Sequence, residues 1–417
     1  MSDSAVDIGR RRTHVSLDAP ESTYAWTRLL AALLLSGIGG VGMWSVIVAL
    51  PAIQADFGVA RSAASLPYTA TMVCFGFGGI LAGRLSDRFG VTTPVVGGAL
   101  SLGLGYGLAS QATTLWQFVI AQGLLVGVAS SATFAPLIAD TSLWFTRRRG
   151  MAVAIIASGS YLAGTAWPPV IQYFIQSAGW RTTYLGIGGF CVATMLPLAL
   201  ALRRRSPRIE PAATPQTMSR SPLPLGMSPA ALQSVLVIAG LTCCVAMSMP
   251  QVHIVAYCSD LGHGASRGAQ MLSLMLGFGI VSRLVSGWIC DRIGGRRTLL
   301  LGSSLQALAL VLFLPFKGLA SLYVLSALFG LFQGGIVPAY AVIVREFFPP
   351  EEAGVRVGTV LMATVFGMAL GGWMSGLIFD LTGSYQTAFI NGILWNLLNL
   401  AIAAGLLLGP ARPFARA

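Results

Sequence analysis

Long apolar stretches recur along the chain, each near or above the ~20 residues that a helix needs to cross a hydrocarbon core of about 30 Å. They run over roughly 29–51, 64–86, 94–111, 116–141, 150–175, 182–202, 231–257, 268–290, 298–316, 320–344, 356–379 and 387–408. The breaks between them are short and rich in Gly, Pro and Arg, the composition of loops. The pattern predicts an all-α membrane protein with twelve transmembrane helices. The first stretch follows Arg10, Arg11 and Arg12 and is too long for the core of a cleavable signal, so it is expected to remain as a span.

One break differs from the rest. Arg203 to Met227 carries Pro207, Pro211, Pro215, Pro222 and Pro224 among charged and small polar residues, which excludes an apolar span and marks a linker. The expected organisation is a tail at 1–28, a six-helix bundle at 29–202, the linker at 203–230, a second six-helix bundle at 231–408 and a tail at 409–417.

The two bundles share one register. Gly83-Arg84-Leu85-Ser86-Asp87-Arg88-Phe89-Gly90 recurs as Gly287-Trp288-Ile289-Cys290-Asp291-Arg292-Ile293-Gly294, an offset of 204. The same offset carries Gly150 onto Gly354, Gly179 onto Gly383, Thr183 onto Thr387 and Gly188 onto Gly392. A constant offset over so long a stretch marks an internal repeat and predicts two pseudo-symmetric halves.

Composition sharpens the class: 55% of the 417 residues are apolar and 10% charged, far from a soluble domain. A net charge of +12 raises the question of nucleic acid, and the distribution of charge answers it. Of the 26 Lys and Arg residues, 21 fall at the end of the spans shared by both termini, and Arg61, Arg181, Arg267 and Lys317 fall at the other. This is the asymmetry that orients a polytopic protein with both termini in the cytoplasm, so no nucleic-acid partner is expected and the lipid bilayer is. The six cysteines are scattered through apolar stretches without metal-ligand spacing and read as small packing residues. No GxxxxGK[ST] loop and no HExxH occurs. Neither enzyme activity nor a cofactor is expected, and transport would have to be driven by gradients.

Six spans, a linker and six related spans in parallel orientation, with GxxxDRxG loops after the second and eighth spans, resemble the major facilitator superfamily. In that superfamily these loops latch the halves together on the cytoplasmic side. The resemblance implies a latch of Gly83, Asp87, Arg88 and Gly90 with its repeat Gly287, Asp291, Arg292 and Gly294. Asp87 would face the start of span 11 near Gly354 and Arg356, and Asp291 the start of span 5 near Arg149, each carboxylate stabilised by a helix N-terminus. Val91-Thr92-Thr93 stands where basic residues are usual in the first copy.

A transported molecule is expected between the halves near the midplane, where departures from the repeat are informative. Arg283 aligns with Gly79 and lies about 12 Å inside the arginine-rich end of the eighth span. Such a charge normally faces a bundle interior or a water-filled path, and its planar fork matches a carboxylate. Bracing a backbone carbonyl and snorkelling to the interface are the competing roles.

The run Trp144-Phe145-Thr146-Arg147-Arg148-Arg149-Gly150-Met151-Ala152, then Gly179-Trp180-Arg181, and Arg283 four residues before Gly287 are similar to the monocarboxylate transporters and their bacterial oxalate/formate-type relatives. The resemblance implies that Arg283 holds a substrate carboxylate. Members of the animal branch also carry a lysine in the first span and an aspartate one turn before that arginine. Here Lys317 is the single lysine and lies in a loop, and Gly279 takes the aspartate's place, which puts proton symport by that route in doubt. His253 is the candidate replacement, as a proton relay or as a packing residue. Asp140 reads as a salt-bridged or solvated charge. Tyr161, Gln333, Tyr340 and Asn391 are candidate hydrogen-bond partners for substrate, and Trp44, Ser45, Met362 and Phe366 candidate wall residues.

The expected function is alternating-access carriage of small organic monocarboxylates across a bacterial-type inner membrane. The alternatives are an efflux carrier for amphipathic drugs or metabolites, in which Arg283 only braces the bundle, and a sensor that has lost transport. Oligomeric state, direction of flux and the coupling ion are not encoded in these patterns.

Overall fold

A computed structural model describes residues 21–145, 147–204 and 227–408. Of the expected tails and linker, 1–20, 205–226 and 409–417 lie outside the described residues.

Span 1 is Thr23–Phe57, span 2 Arg61–Phe89, span 4 Leu115–Trp144, span 7 Pro229–Asp260, span 8 Ala265–Ile293, span 10 Leu319–Phe347 and span 12 Tyr385–Leu407. Span 3 is Thr92–Ser110, span 9 Gly295–Leu312 and span 11 Pro350–Thr382. Arg149–Leu200 supplies spans 5 and 6, whose path breaks at Gly179 with φ 79° and ψ 161°. The chain is thus the expected all-helical membrane protein of two six-helix halves. The helices outrun most of the apolar stretches, span 1 by about a turn or more at each end, because helix continues into polar residues until a cap stops it. Ser22, Thr114, Ser228 and Ser384 supply such caps, their hydroxyls accepting from the first-turn amides of spans 1, 4, 7 and 12.

The repeat is visible in backbone geometry. Gly58 and Gly262 (φ 60° and 79°), Gly90 and Gly294 (85° and 84°), and Gly179 and Gly383 (79° and 65°) are three pairs separated by 204. Each pair ends or breaks a helix in a conformation that only glycine adopts without strain.

Within each half, close crossings rest on glycines spaced four apart. Gly123 and Gly127 of span 4 abut Ala70 and Thr71 of span 2, and Gly330 and Gly334 of span 10 abut the Met275 and Gly279 carbonyls of span 8. A Cβ at 330 would run into the Met275 carbonyl, whereas one at Gly405 would meet nothing within 4 Å. Gly330→Leu is therefore expected to destabilise the bundle by at least the ~1–3 kcal/mol of an overpacked core and Gly405→Leu to change little, measured by thermal melting in detergent.

The halves meet where span 2 packs on span 11, span 5 on span 8 and span 1 on span 7. This seam positions the site.

Candidate functional site

Span 8 reaches the seam with Arg283. Its Nη1 donates to the Ala157 carbonyl of span 5 at 2.9 Å, and its guanidinium carbon sits 4.5 Å above the Tyr161 ring of the same helix. Nε is buried without a partner, and Nη2 has no hydrogen bond among the described residues. One edge of the fork is anchored across the interface and the other is unused.

Tyr161 can lie beneath Arg283 because residue 279 has no side chain: a Cβ there would run into the ring. Gly279 thus leaves its place beneath Arg283 to an aromatic face from the other half. Gly279→Asp is expected to lower the melting temperature, and Tyr161→Ala in the same chain to recover part of the loss, the non-additivity of two residues sharing one contact. A double-mutant cycle of melting temperatures checks it.

Arg283 and Tyr161 line a cavity of about 170 Å³ between the halves. Met43 and Trp44 enter from span 1, Phe75 from span 2 and Phe134 from span 4. Span 7 contributes Met247 and Gln251, and span 11 Thr364 and Met368. Trp44 is held by its indole N–H on the Ser160 carbonyl at 3.2 Å.

The remaining candidate wall and hydrogen-bonding residues lie off this cavity, because helix rotation turns them elsewhere. Ser45 bonds the Tyr106 hydroxyl inside the first half at 2.8 Å. Tyr340 donates to Asn399 at 2.8 Å. Met362 lies against Gly76 of span 2, and Phe366 against Phe77 with ring centroids 5.9 Å apart. Gln333 is buried with both amide atoms unpaired, and Asn391 sits half-buried on span 12. Asp140 is salt-bridged to Arg28 at 2.9 Å within the first half.

The arginine-poor end is shut by a cluster crossing the halves. Asp380 at the end of span 11 accepts from the backbone amides of Arg61 and Ser62, both at 2.8 Å, capping the start of span 2. The Arg61 side chain pairs with Asp260 of span 7 at 3.0 and 3.2 Å and donates to the Tyr385 hydroxyl of span 12 at 2.6 Å. His253 completes the chain. The Gly372 carbonyl only accepts, so His253 Nε2 carries a proton and donates to it at 2.7 Å. Nδ1 of the neutral ring then accepts from Tyr385 at 3.0 Å. His253 is fully buried and does not line the cavity. Related by the repeat to the Ser62 contact is a neutral one, Ser266 donating to Gln176 at 3.2 Å.

The arginine-rich end is parted. Asp87, Arg88, Asp291 and Arg292 are exposed, and a Cβ at Gly83, Gly287, Gly354 or Gly358 would meet nothing within 4 Å. Neither Asp87 nor Asp291 has a partner across the halves among the described residues. In this conformation the expected latch stands open.

A two-half helical bundle sealed at one end, parted at the other and holding a cation at the seam has the architecture of a carrier that exposes a central site to one side of a membrane at a time. The family model of the Major Facilitator Superfamily matches residues 32–321 and 284–416, and the chain belongs to this superfamily of membrane transporters. It is 27% identical over 385 residues to Monocarboxylate transporter 13 of Bos taurus, covering 89% of this chain and 87% of that one. It is also 27% identical over 327 residues to the MFS-type transporter opdF of Penicillium oxalicum, covering 78% and 76%. Among solved structures, a bacterial homologue of the human lysosomal transporter Spinster, inward-facing and occupied, superposes with a TM-score of 0.71 at 12% identity, covering 92% of this chain and 96% of that one. A point mutant of the nucleoside transporter NupG does so with a TM-score of 0.71 at 16% identity, covering 91% and 99%. These two likenesses are of fold.

Proposed function

We propose that this protein is a secondary active transporter carrying small organic monocarboxylates by alternating access across a bacterial-type inner membrane. Both termini lie in the cytoplasm in this reading, so the structure is open to the cytoplasm. The observation that carries it is the unused edge of Arg283: a planar pair of N–H donors at the seam, one of them buried and unpaired, matches the two oxygens of a carboxylate. The relatives named monocarboxylate transporters support the same substrate class. A cavity of about 170 Å³ is small beside the ~300–1,000 Å³ of drug sites, which weighs against the efflux reading.

Protons enter through the closed end in this proposal, with His253 as the responding group and the GxxxDRxG loops closing the cytoplasmic end when that end opens. The test is uptake of radiolabelled organic acids into proteoliposomes, with and without a proton gradient, by wild type and Arg283→Ala. Accumulation of an acid that the substitution abolishes is expected. Uptake of every acid untouched by the substitution would sink the reading.

A further inference from the structure

The cavity's lining carries more information than the charge of its cargo. Arg283 is the one charged residue among those lining it. A dicarboxylate would bring a second negative charge with no cation to meet it, and an amino acid an ammonium with no carboxylate to meet it, each an expensive burial. A singly charged cargo avoids both costs.

The walls select what the charge is attached to. Trp44, Phe75, Phe134 and Tyr161 present aromatic faces or edges, and Met247 and Met368 thioethers, from both halves. Aromatic rings favour edge-to-face partners and thioether sulfur favours ring edges. The volume of about 170 Å³ is near that of the apolar cavities of ~150 Å³ that bind benzene.

The far end is polar. Gln251 is buried, lies nine residues before the end of span 7 at the arginine-poor side, and makes no hydrogen bond to a described residue. The Tyr68 hydroxyl, also at the cavity, makes none either. Arg283 lies ten residues before the end of span 8 at the opposite side, so the cation and these free polar groups sit toward opposite ends of one apolar chamber.

We infer that the cargo is a single-ring aryl carboxylate, its carboxylate on Arg283, its ring between the aromatic and methionine walls, and a ring hydroxyl or similar group on Gln251 and Tyr68. This rests on the carboxylate role of Arg283 and narrows it.

Calorimetric titration of the purified protein with phenylacetate, 4-hydroxyphenylacetate, lactate, oxalate, phenylalanine and 2-phenylethanol separates the two claims. Both aryl acids are expected to bind at least tenfold tighter than lactate, the hydroxylated one tighter still, with oxalate, phenylalanine and phenylethanol weaker than either. Gln251→Leu is expected to narrow the gap between the two aryl acids, and Phe134→Ala to weaken phenylacetate more than lactate. Lactate, oxalate or phenylalanine binding as tightly as phenylacetate overturns the aryl assignment and leaves the carboxylate role standing. Phenylethanol equalling phenylacetate, or no acid binding at all, overturns both.

Discussion

Arg283→Ala is expected to reduce acid uptake by about two to four orders of magnitude. The substitution removes two hydrogen bonds to a charged group, worth roughly 1.5–3 kcal/mol each, and every 1.4 kcal/mol is about tenfold. Arg283→Lys should retain part of the activity, since it keeps the charge and loses the fork. Because Arg283 also bonds the Ala157 carbonyl and covers Tyr161, a purely bracing role has to be told apart from recognition. A brace would lower the melting temperature of the empty protein and leave the ranking of substrates intact. Recognition would raise KM selectively for acids and leave neutral ligands and melting nearly as they were. Transport kinetics on Ala, Lys and Gln variants, beside their melting curves, decide between the two.

The second large effect is expected at the sealed end. A second proton on His253 must sit on Nδ1, since Nε2 already donates to Gly372. Nδ1 would then donate to the Tyr385 oxygen, which already accepts from Arg61, and the hydroxyl proton of Tyr385 would lose its acceptor. The charges facing this ring are Arg61 of span 2 and Asp380 of span 11, with Asp260 of its own helix behind Arg61, Tyr385 packed beside the ring and Tyr257 against Tyr385. The buried ring has no carboxylate of its own to pair with, since Asp260 takes the Arg61 guanidinium and Asp380 the backbone amides of Arg61 and Ser62, so a positive charge on it is a costly burial while this end is shut. The sign follows. Acid on this side stabilises the protein with this end open, where the ring is wetted, and neutral pH stabilises it shut.

His253→Gln keeps a donor for Gly372 and an acceptor for Tyr385 but cannot titrate, and should stay shut at all pH. Arg61→Gln loses at least one charged hydrogen bond, worth ~1.5–3 kcal/mol, and should shift the population toward the open end by at least about ten- to a hundredfold. Spin labels on Gln111→Cys and Lys317→Cys, exposed on opposite halves of this end, with half-buried Cys74 replaced by Ser, report the distance as pH falls. A wild-type distance that ignores pH would remove His253 from the coupling.

The repeat was the most legible part of the molecule. Its offset predicted equivalent turns, and Gly90 and Gly294 adopt the same backbone geometry to within a few degrees, because a turn without side-chain freedom is written locally. Arg283 was legible for a related reason: a charge among apolar residues has few places to go. The wall was only partly so. Trp44 faces the cavity while Ser45, Met362 and Phe366, read with equal reason, face Tyr106 and span 2, and Tyr161, read as a hydrogen-bond partner, lines the cavity with its ring beneath Arg283. Apolar residues on an all-apolar helix carry no amphipathic stripe to reveal its rotation.

The gate was read only in fragments. Arg61 was counted as one of the few basic residues at its end, and its partners Asp260 and Asp380 are 199 and 319 residues away. The available signal was that sparse charges of opposite sign share one end of the bundle. Pairing them requires knowing which helices meet. His253 faced the same obstacle, its partners Gly372 and Tyr385 standing on other helices.

The two cross-half seams at the sealed end are unequal copies of one design. On one side a carboxylate, Asp380, clasps two amides of span 2. On the other an amide, Gln176, receives one hydroxyl from span 8. The inequality predicts an opening like a door with a stiff hinge and a light catch, in which the span 5 and span 8 edge is expected to part while the span 2 and span 11 edge still holds. Spans 5 and 8 are the helices that carry Tyr161 and Arg283, so under the proposed function an arriving anion would be admitted along the very edge that leads to its counter-charge.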